Sequence, residues 1–165
     1  MLPTVAIVMG SEKDHEAMKE AQEVLDEFGV SYEVRVISAH RTPQFCQEFA
    51  LTAAERGIKV IIAGAGKAAH LAGVIASWTT IPVIGVPLAG EMGGIDALFS
   101  TVQMPAGVPV ACMAVGKTGA FNGALFAVAI LALEDRALRK KLTEFRAKQG
   151  EKVKEKDAKF YQGKD

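Results

Sequence analysis

Short apolar runs alternate along the chain with longer stretches in which apolar residues recur every three or four positions. Val5–Met9 is wholly apolar and stops at Gly10, the pattern of a strand buried on both faces. Ser11 then opens Ser-Glu-Lys-Asp, followed by Ala17, Met18, Ala21, Val24, Leu25 and Phe28 on one helical stripe that Gly29 ends. Ser11 or Asp14 is the expected cap. Tyr32–Ile37 alternates as a second strand, and Thr42-Pro43 starts a second helix expected to reach Arg56, before Gly57. Lys59–Ala63 reads as a third strand broken by Gly64-Ala65-Gly66, with a helix of small residues after it.

The second half continues the alternation. Pro82–Val86 reads as a fourth strand, Ile95–Val102 as a short helix, Val108–Val115 as a fifth strand and Ala120–Leu133 as a long helix. From Asp135 onward Leu138, Leu142 and Phe145 keep helical spacing, which fades into a Lys/Glu-rich end. Strands alternating with helices predict a parallel sheet covered on both faces. With right-handed crossovers this is an α/β, three-layer α/β/α sandwich with a flavodoxin-like sheet and an extended C-terminal helix. The helix at 120–133 is apolar nearly all round and is expected to be buried on every side. That implies a large subunit interface and hence a homo-oligomer.

The chain has 165 residues, half of them apolar, which is enough for one core and too little for two ordinary domains. The expected division is one α/β catalytic domain over 1–134, with a helix and tail over 135–165 that embrace a neighbouring subunit. Formal charge sums to zero but is unevenly placed. Residues 135–165 carry eleven Lys/Arg against six Asp/Glu, and the rest carries eight against thirteen. The signs in the tail are interspersed and aromatics are few, so a solvated helix face is expected rather than a nucleic-acid surface. No run is long and uncharged enough to span a membrane, and the start lacks the marks of a secretory signal. Cys46 and Cys112 are expected to be reduced thiols in a cytoplasmic protein, and no His/Cys/carboxylate trio has ligand spacing, so no metal is expected.

Ligands in open parallel sheets bind beyond the carboxyl ends of the strands. The polar residues collect there: Gly10-Ser11 and Asp14 after the first strand, Ser38, His40 and Arg41 after the second, Gly64-Ala65-Gly66-Lys67 and His70 after the third. Gly10-Ser11 suits either an anion seat or a tight turn with a serine cap. Arg41 suits a phosphate or a surface ion pair. His40 suits proton transfer near neutral pH or a structural place beside a helix, and His70 divides evenly between packing and binding. His15 falls in an exposed first turn. Neither glycine loop has the dinucleotide or Walker pattern, so NAD and ATP are disfavoured.

Several motifs occur in order: Val-Met-Gly-Ser-x-x-Asp at 8–14, Ser-Ala-His-Arg-Thr-Pro at 38–43 and Ile-Ile-Ala-Gly-Ala-Gly-x-Ala-Ala-His-Leu-x-Gly at 61–73. Pro-Val-Ile-Gly-Val-Pro at 82–87 and Val-Gln-Met-Pro-x-Gly-x-Pro-Val at 102–110 follow. From Val5 to Leu133 the chain resembles the class I 5-(carboxyamino)imidazole ribonucleotide mutases of purine biosynthesis. The resemblance implies a cofactor-free octameric isomerase that moves a carboxylate from the exocyclic nitrogen to the ring carbon of a small ribonucleotide. It further implies that Ser11, Ser38 and Arg41 hold phosphate, Asp14 the ribose and the Gly64–Lys67 loop the migrating carboxylate, with His40 carrying the proton. Two positions depart from that family, which usually has Gly at Lys67 and Pro at Ala72. Lys67 is expected either to add a contact to the carboxylate or to direct its side chain to solvent. Two rival readings are a carboxylase using free carbon dioxide on the unmodified ribonucleotide and a non-catalytic nucleotide-binding module.

Overall fold

The computed structural model describes residues 2–161. Five strands, β1 (Val5–Met9), β2 (Tyr32–Val36), β3 (Val60–Gly66), β4 (Val83–Leu88) and β5 (Ala111–Cys112), form one all-parallel sheet in the order β2-β1-β3-β4-β5. Six helices connect and cover it: α1 (His15–Phe28), α2 (Pro43–Thr52), α3 (Leu71–Trp78), α4 (Ile95–Val102), α5 (Lys117–Leu131) and α6 (Arg136–Phe160). This is the expected flavodoxin-like three-layer sandwich, and no helix among the described residues is long and apolar enough to cross a membrane.

Alternate residues of each strand feed opposite faces. Val5, Ile7, Met9, Ile62, Ile84 and Val86 meet Met18, Val24, Leu25 and Phe28 of α1 and the small stripe Ala120, Ala124, Ala127 of α5. Ala6, Val8, Ile61, Ala63 and Val83 meet Cys46, Phe49 and Ala50 of α2 and Leu71 and Ile75 of α3. Each large side chain so buried contributes roughly 1.5–3 kcal/mol, which is why continuous apolar strands suit a sheet covered twice. Gly29 ends α1 in the left-handed region at φ 71°, its N–H returned to the carbonyls of Leu25 and Asp26.

Three expectations need correction. β3 does not break at Gly64-Ala65-Gly66, because those residues pair in register with Val86, Pro87 and Leu88 of β4. β5 shrinks from the expected Val108–Val115 to two residues at the sheet edge; Pro109 has no N–H to give a ladder. α2 stops at Thr52, and hydrogen-bonded turns carry the chain on to Gly57. Within one chain α5 is buried on one stripe only. Asn122 and Phe126 on its outer side are exposed, because α6 covers only part of it, through Phe145 against Phe121.

Candidate active site

The chain ends of β1, β2, β3 and β4 surround a cavity of about 550 Å³, lined among others by Ser11, Asp14, Ser38, His40, Arg41 and Lys67. Order in the sheet explains the convergence: these four strands are consecutive neighbours, so their carboxyl ends share one edge. Three strand ends were expected to meet there. The structure adds a fourth, through Ala89 and Gly90, and places Lys13 on the wall as well.

The β1 end is held by its own hydrogen bonds. The Gly10 N–H donates to the Gly64 carbonyl at 3.1 Å, tying β1 to β3 at the cavity floor. Ser11 caps the following turn: its Oγ accepts from the Lys13 N–H at 3.3 Å, and its own N–H donates to Asp14 Oδ2 at 3.0 Å. Both capping residues expected from the sequence are therefore used, reciprocally. Burial pushes the Asp14 carboxyl above its ordinary range, against the bond from Ser11 N–H, which lowers it.

At the β2 end, buried Ile37 anchors the chain through its N–H to the Met9 carbonyl at 2.8 Å, and the backbone then turns. Ser38 Oγ accepts from the Arg41 backbone N–H at 3.1 Å and from its Nε at 3.3 Å, while Arg41 Nη2 reaches the Gly10 carbonyl at 3.4 Å. Arg41 makes no ion pair among the described residues. The guanidinium is held by Ser38 and the Gly10 carbonyl on the cavity wall, with no carboxylate paired to it among the described residues.

His40 Nε2 lies 2.8 Å from His70 Nδ1, the rings edge-to-face at 87°. Such a contact needs one donor and one acceptor, so the two rings share a single proton between those nitrogens. His40 lines the cavity and His70 does not. His70, at the start of α3, thus stands behind His40 and orients its ring through this contact. His15 contacts Gln22 on α1 and has no part in the wall.

At the β3 end the glycines answer to space rather than to a turn. A Cβ on Gly64 would overlap the Met18 sulfur, and one on Gly66 would come within 3.3 Å of the Leu88 carbonyl oxygen. Gly64 lies beneath the cavity, whereas Ala65, Gly66 and Lys67 line it. Lys67 is the one non-glycine among the described residues with positive φ, at 55°. Its ammonium pairs with Glu91 Oε1 at 3.1 Å, on the loop after β4. Glu91 escaped the sequence reading. Its signal was the glycine-rich stretch Gly90–Gly94 after an apolar strand.

Residues 4–152 match the family model described as AIR carboxylase. The chain belongs to this family. Among curated relatives, the N5-carboxyaminoimidazole ribonucleotide mutase of Bacillus subtilis (strain 168) is 57% identical over 147 residues, 88% of this chain and 91% of that one. The mutase of Saccharolobus solfataricus is 54% identical, covering 87% of this chain and 90% of its own. Of solved structures, Treponema denticola PurE superposes with a TM-score of 0.85 at 28% identity, covering 95% of this chain and 98% of that one. Members of the AIR carboxylase family this similar extend over the whole cavity-bearing part of the chain, so every wall described above lies inside the matched region.

Proposed function

We propose that the protein is an N5-carboxyaminoimidazole ribonucleotide mutase, an isomerase of purine biosynthesis. The observation that carries the reading is the pairing, at one strand end on the cavity wall, of a histidine with an arginine that has no ion-pair partner among the described residues, in a chain 57% identical to a protein of that name. Arg41, Ser38 and Ser11 supply charge, a hydroxyl and a capped turn for the phosphate, Asp14 supplies a carboxylate for ribose hydroxyls, and Ala65, Gly66 and Lys67 border the migrating carboxylate. Gly64 supports that border from beneath, and His70 supports His40.

The chemistry balances with groups of this chain alone. Breaking the carbamate C–N bond releases carbon dioxide, and the exocyclic nitrogen takes up a proton. The electron-rich ring carbon then attacks the carbon dioxide, a C–C bond forms, and the ring carbon gives up its proton. One proton is delivered and one removed, so His40 serves both steps as acid and then base. No electrons are transferred and no cofactor is called for. Holding carbon dioxide beside the ring replaces a dilute second-order capture by an effectively intramolecular one.

The reading extends to an oligomer, with eight subunits as the family resemblance implies, and to a cytoplasmic setting. The oligomer is supported by the exposed outer side of α5 and by the far part of α6, where Val153 and Phe160 are exposed among the described residues. The segment 135–165 then divides its contacts: Leu138, Leu142 and Phe145 pack on their own core, and the remainder reaches a neighbour. Residues 162–165 lie outside the described residues.

The deciding experiment offers each substrate in bicarbonate-free buffer. The mutase converts the N-carboxylated ribonucleotide without added bicarbonate and leaves the unmodified one untouched. Turnover of the unmodified ribonucleotide that depends on carbon dioxide would make the protein a carboxylase, and binding without turnover of either would make it a nucleotide-binding module. Light scattering on the full chain tests the eight-subunit assembly.

A further inference from the structure

Lys67 combines two features that are hard to explain by stability. Its backbone sits in the left-handed region, at φ 55°, where a glycine would be free of strain. Its ion pair with Glu91 is open to water, the two side chains being 70% and 87% exposed, so solvent screens most of its worth. The pair does not offset the strain; what it does is geometric. The stem of Lys67 runs past Gly90, whose Cβ position is 3.6 Å from Lys67 Cγ, before the ammonium meets Glu91. The loop it crosses continues through Gly93 and Gly94, at φ 67° and 87°, into α4. That loop is otherwise closed on itself, with the Gly93 N–H on the Gly90 carbonyl. Among the described residues, Lys67 makes the side-chain bond that ties it to another part of the molecule.

We propose that Lys67 is a positioning residue: its pair with Glu91 straps the β4–α4 loop against the β3 end and keeps carbon dioxide in the cavity between bond breaking and bond making. The role rests on the mutase reading. Carbon dioxide is small and uncharged, so no arginine or helix end holds it; only a closed wall does. Ala89 and Gly90 form that wall beside Ala65–Ala68. With its ammonium committed to Glu91, Lys67 acts on the loop and not on the substrate carboxylate.

The test uses the full-length enzyme and its K67G, E91Q and K67E/E91K variants. Hydrogen exchange without substrate reads the loop over 89–94. Single turnover of the N-carboxylated ribonucleotide, with released carbon dioxide swept away, reads the ratio of free aminoimidazole ribonucleotide to carboxylated product. Each single variant is expected to speed loop exchange and to raise the released fraction several-fold, the loss falling on kcat rather than KM. The reversed pair is expected to restore both. Unchanged loop exchange in K67G would overturn the strap. So would a reversed pair that restores the loop yet turns over more slowly than either single variant, because Lys67 would then be touching the substrate carboxylate. A wild-type enzyme that leaves the N-carboxylated substrate unconverted would overturn the mutase reading and the retention role with it, while loop exchange would still decide the strap.

Discussion

The two sides of the cavity are built on different principles. The side formed by the ends of β1 and β2 is bonded to itself: Ser11 and Asp14 cap each other's turn, and Ser38 and the Gly10 carbonyl hold the Arg41 guanidinium. The side formed by β3 and β4 has few such bonds. Glycines under steric pressure shape it, and one water-exposed ion pair at its rim ties its two loops. The first side is organised before any ligand arrives, which suits groups that do not change during the reaction. The second side is shaped by close packing along the β3–β4 ladder, which suits a wall that borders a fragment leaving one atom and joining another. The His40–His70 contact joins them, with His40 on the cavity wall and His70 behind it at the start of α3.

The largest effect is expected at the histidine pair. His40→Asn is expected to lower turnover at least about 100-fold while ribonucleotide binding survives, since general acid–base catalysis is worth roughly that or more. Near-normal kcat in that variant, with unaltered binding in calorimetry, would remove His40 from the chemistry. Next comes the organised side. Arg41→Ala is expected to raise KM about 10- to 100-fold with a smaller change in kcat, the loss of a charge-assisted contact of roughly 1.5–3 kcal/mol. An effect on kcat alone would mean that Arg41 serves the reacting carbons instead of the phosphate.

On the β3–β4 side, Gly64→Ala is expected to destabilise the fold by about 1–3 kcal/mol, because the added methyl meets the buried Met18 sulfur. Denaturant titration reads it, and pairing the change with Met18→Ala is expected to recover part of the loss. The smallest effect belongs to Asp14. Its carboxyl is raised by burial, so the folded chain holds a proton that the unfolded chain has already released. Stability therefore falls as pH rises from the ordinary aspartate range through the raised value. Asp14→Asn is expected to flatten that slope in melting curves and to weaken substrate binding. A slope equal to the wild type's would show that Asp14 does not cause it.

Most of the organised side was legible from the sequence, and much of the other was not. Ser11 followed by Asp14 three residues on is a local pattern with a local cause, and so is Thr42-Pro43 at the start of α2. Gly64 and Gly66 carried a signal that pointed the wrong way. Glycine commonly marks a turn, yet here it marks close approach of Met18 and the Leu88 carbonyl, a demand set by residues far along the chain. Lys67 and Glu91 are twenty-four positions apart and their pairing has no sequence signature. The outer side of α5 is a related case, since apolar composition predicts its burial but does not say which chain covers it. The two-residue β5 shows the converse limit, where an apolar run carries one proline, Pro109, that cannot donate to a ladder.

The sheet order has a consequence for how the molecule comes into being. β1 and β3 are neighbours, yet the whole β2 excursion lies between them in the chain, and β4 must then add beyond β3. Such non-local parallel pairing is slow to form compared with the helices it joins. A refolding chain therefore regains most of its helical signal before it owns a cavity at all. The appearance of ligand affinity, rather than of secondary structure, marks the moment the last of the four strand ends arrives.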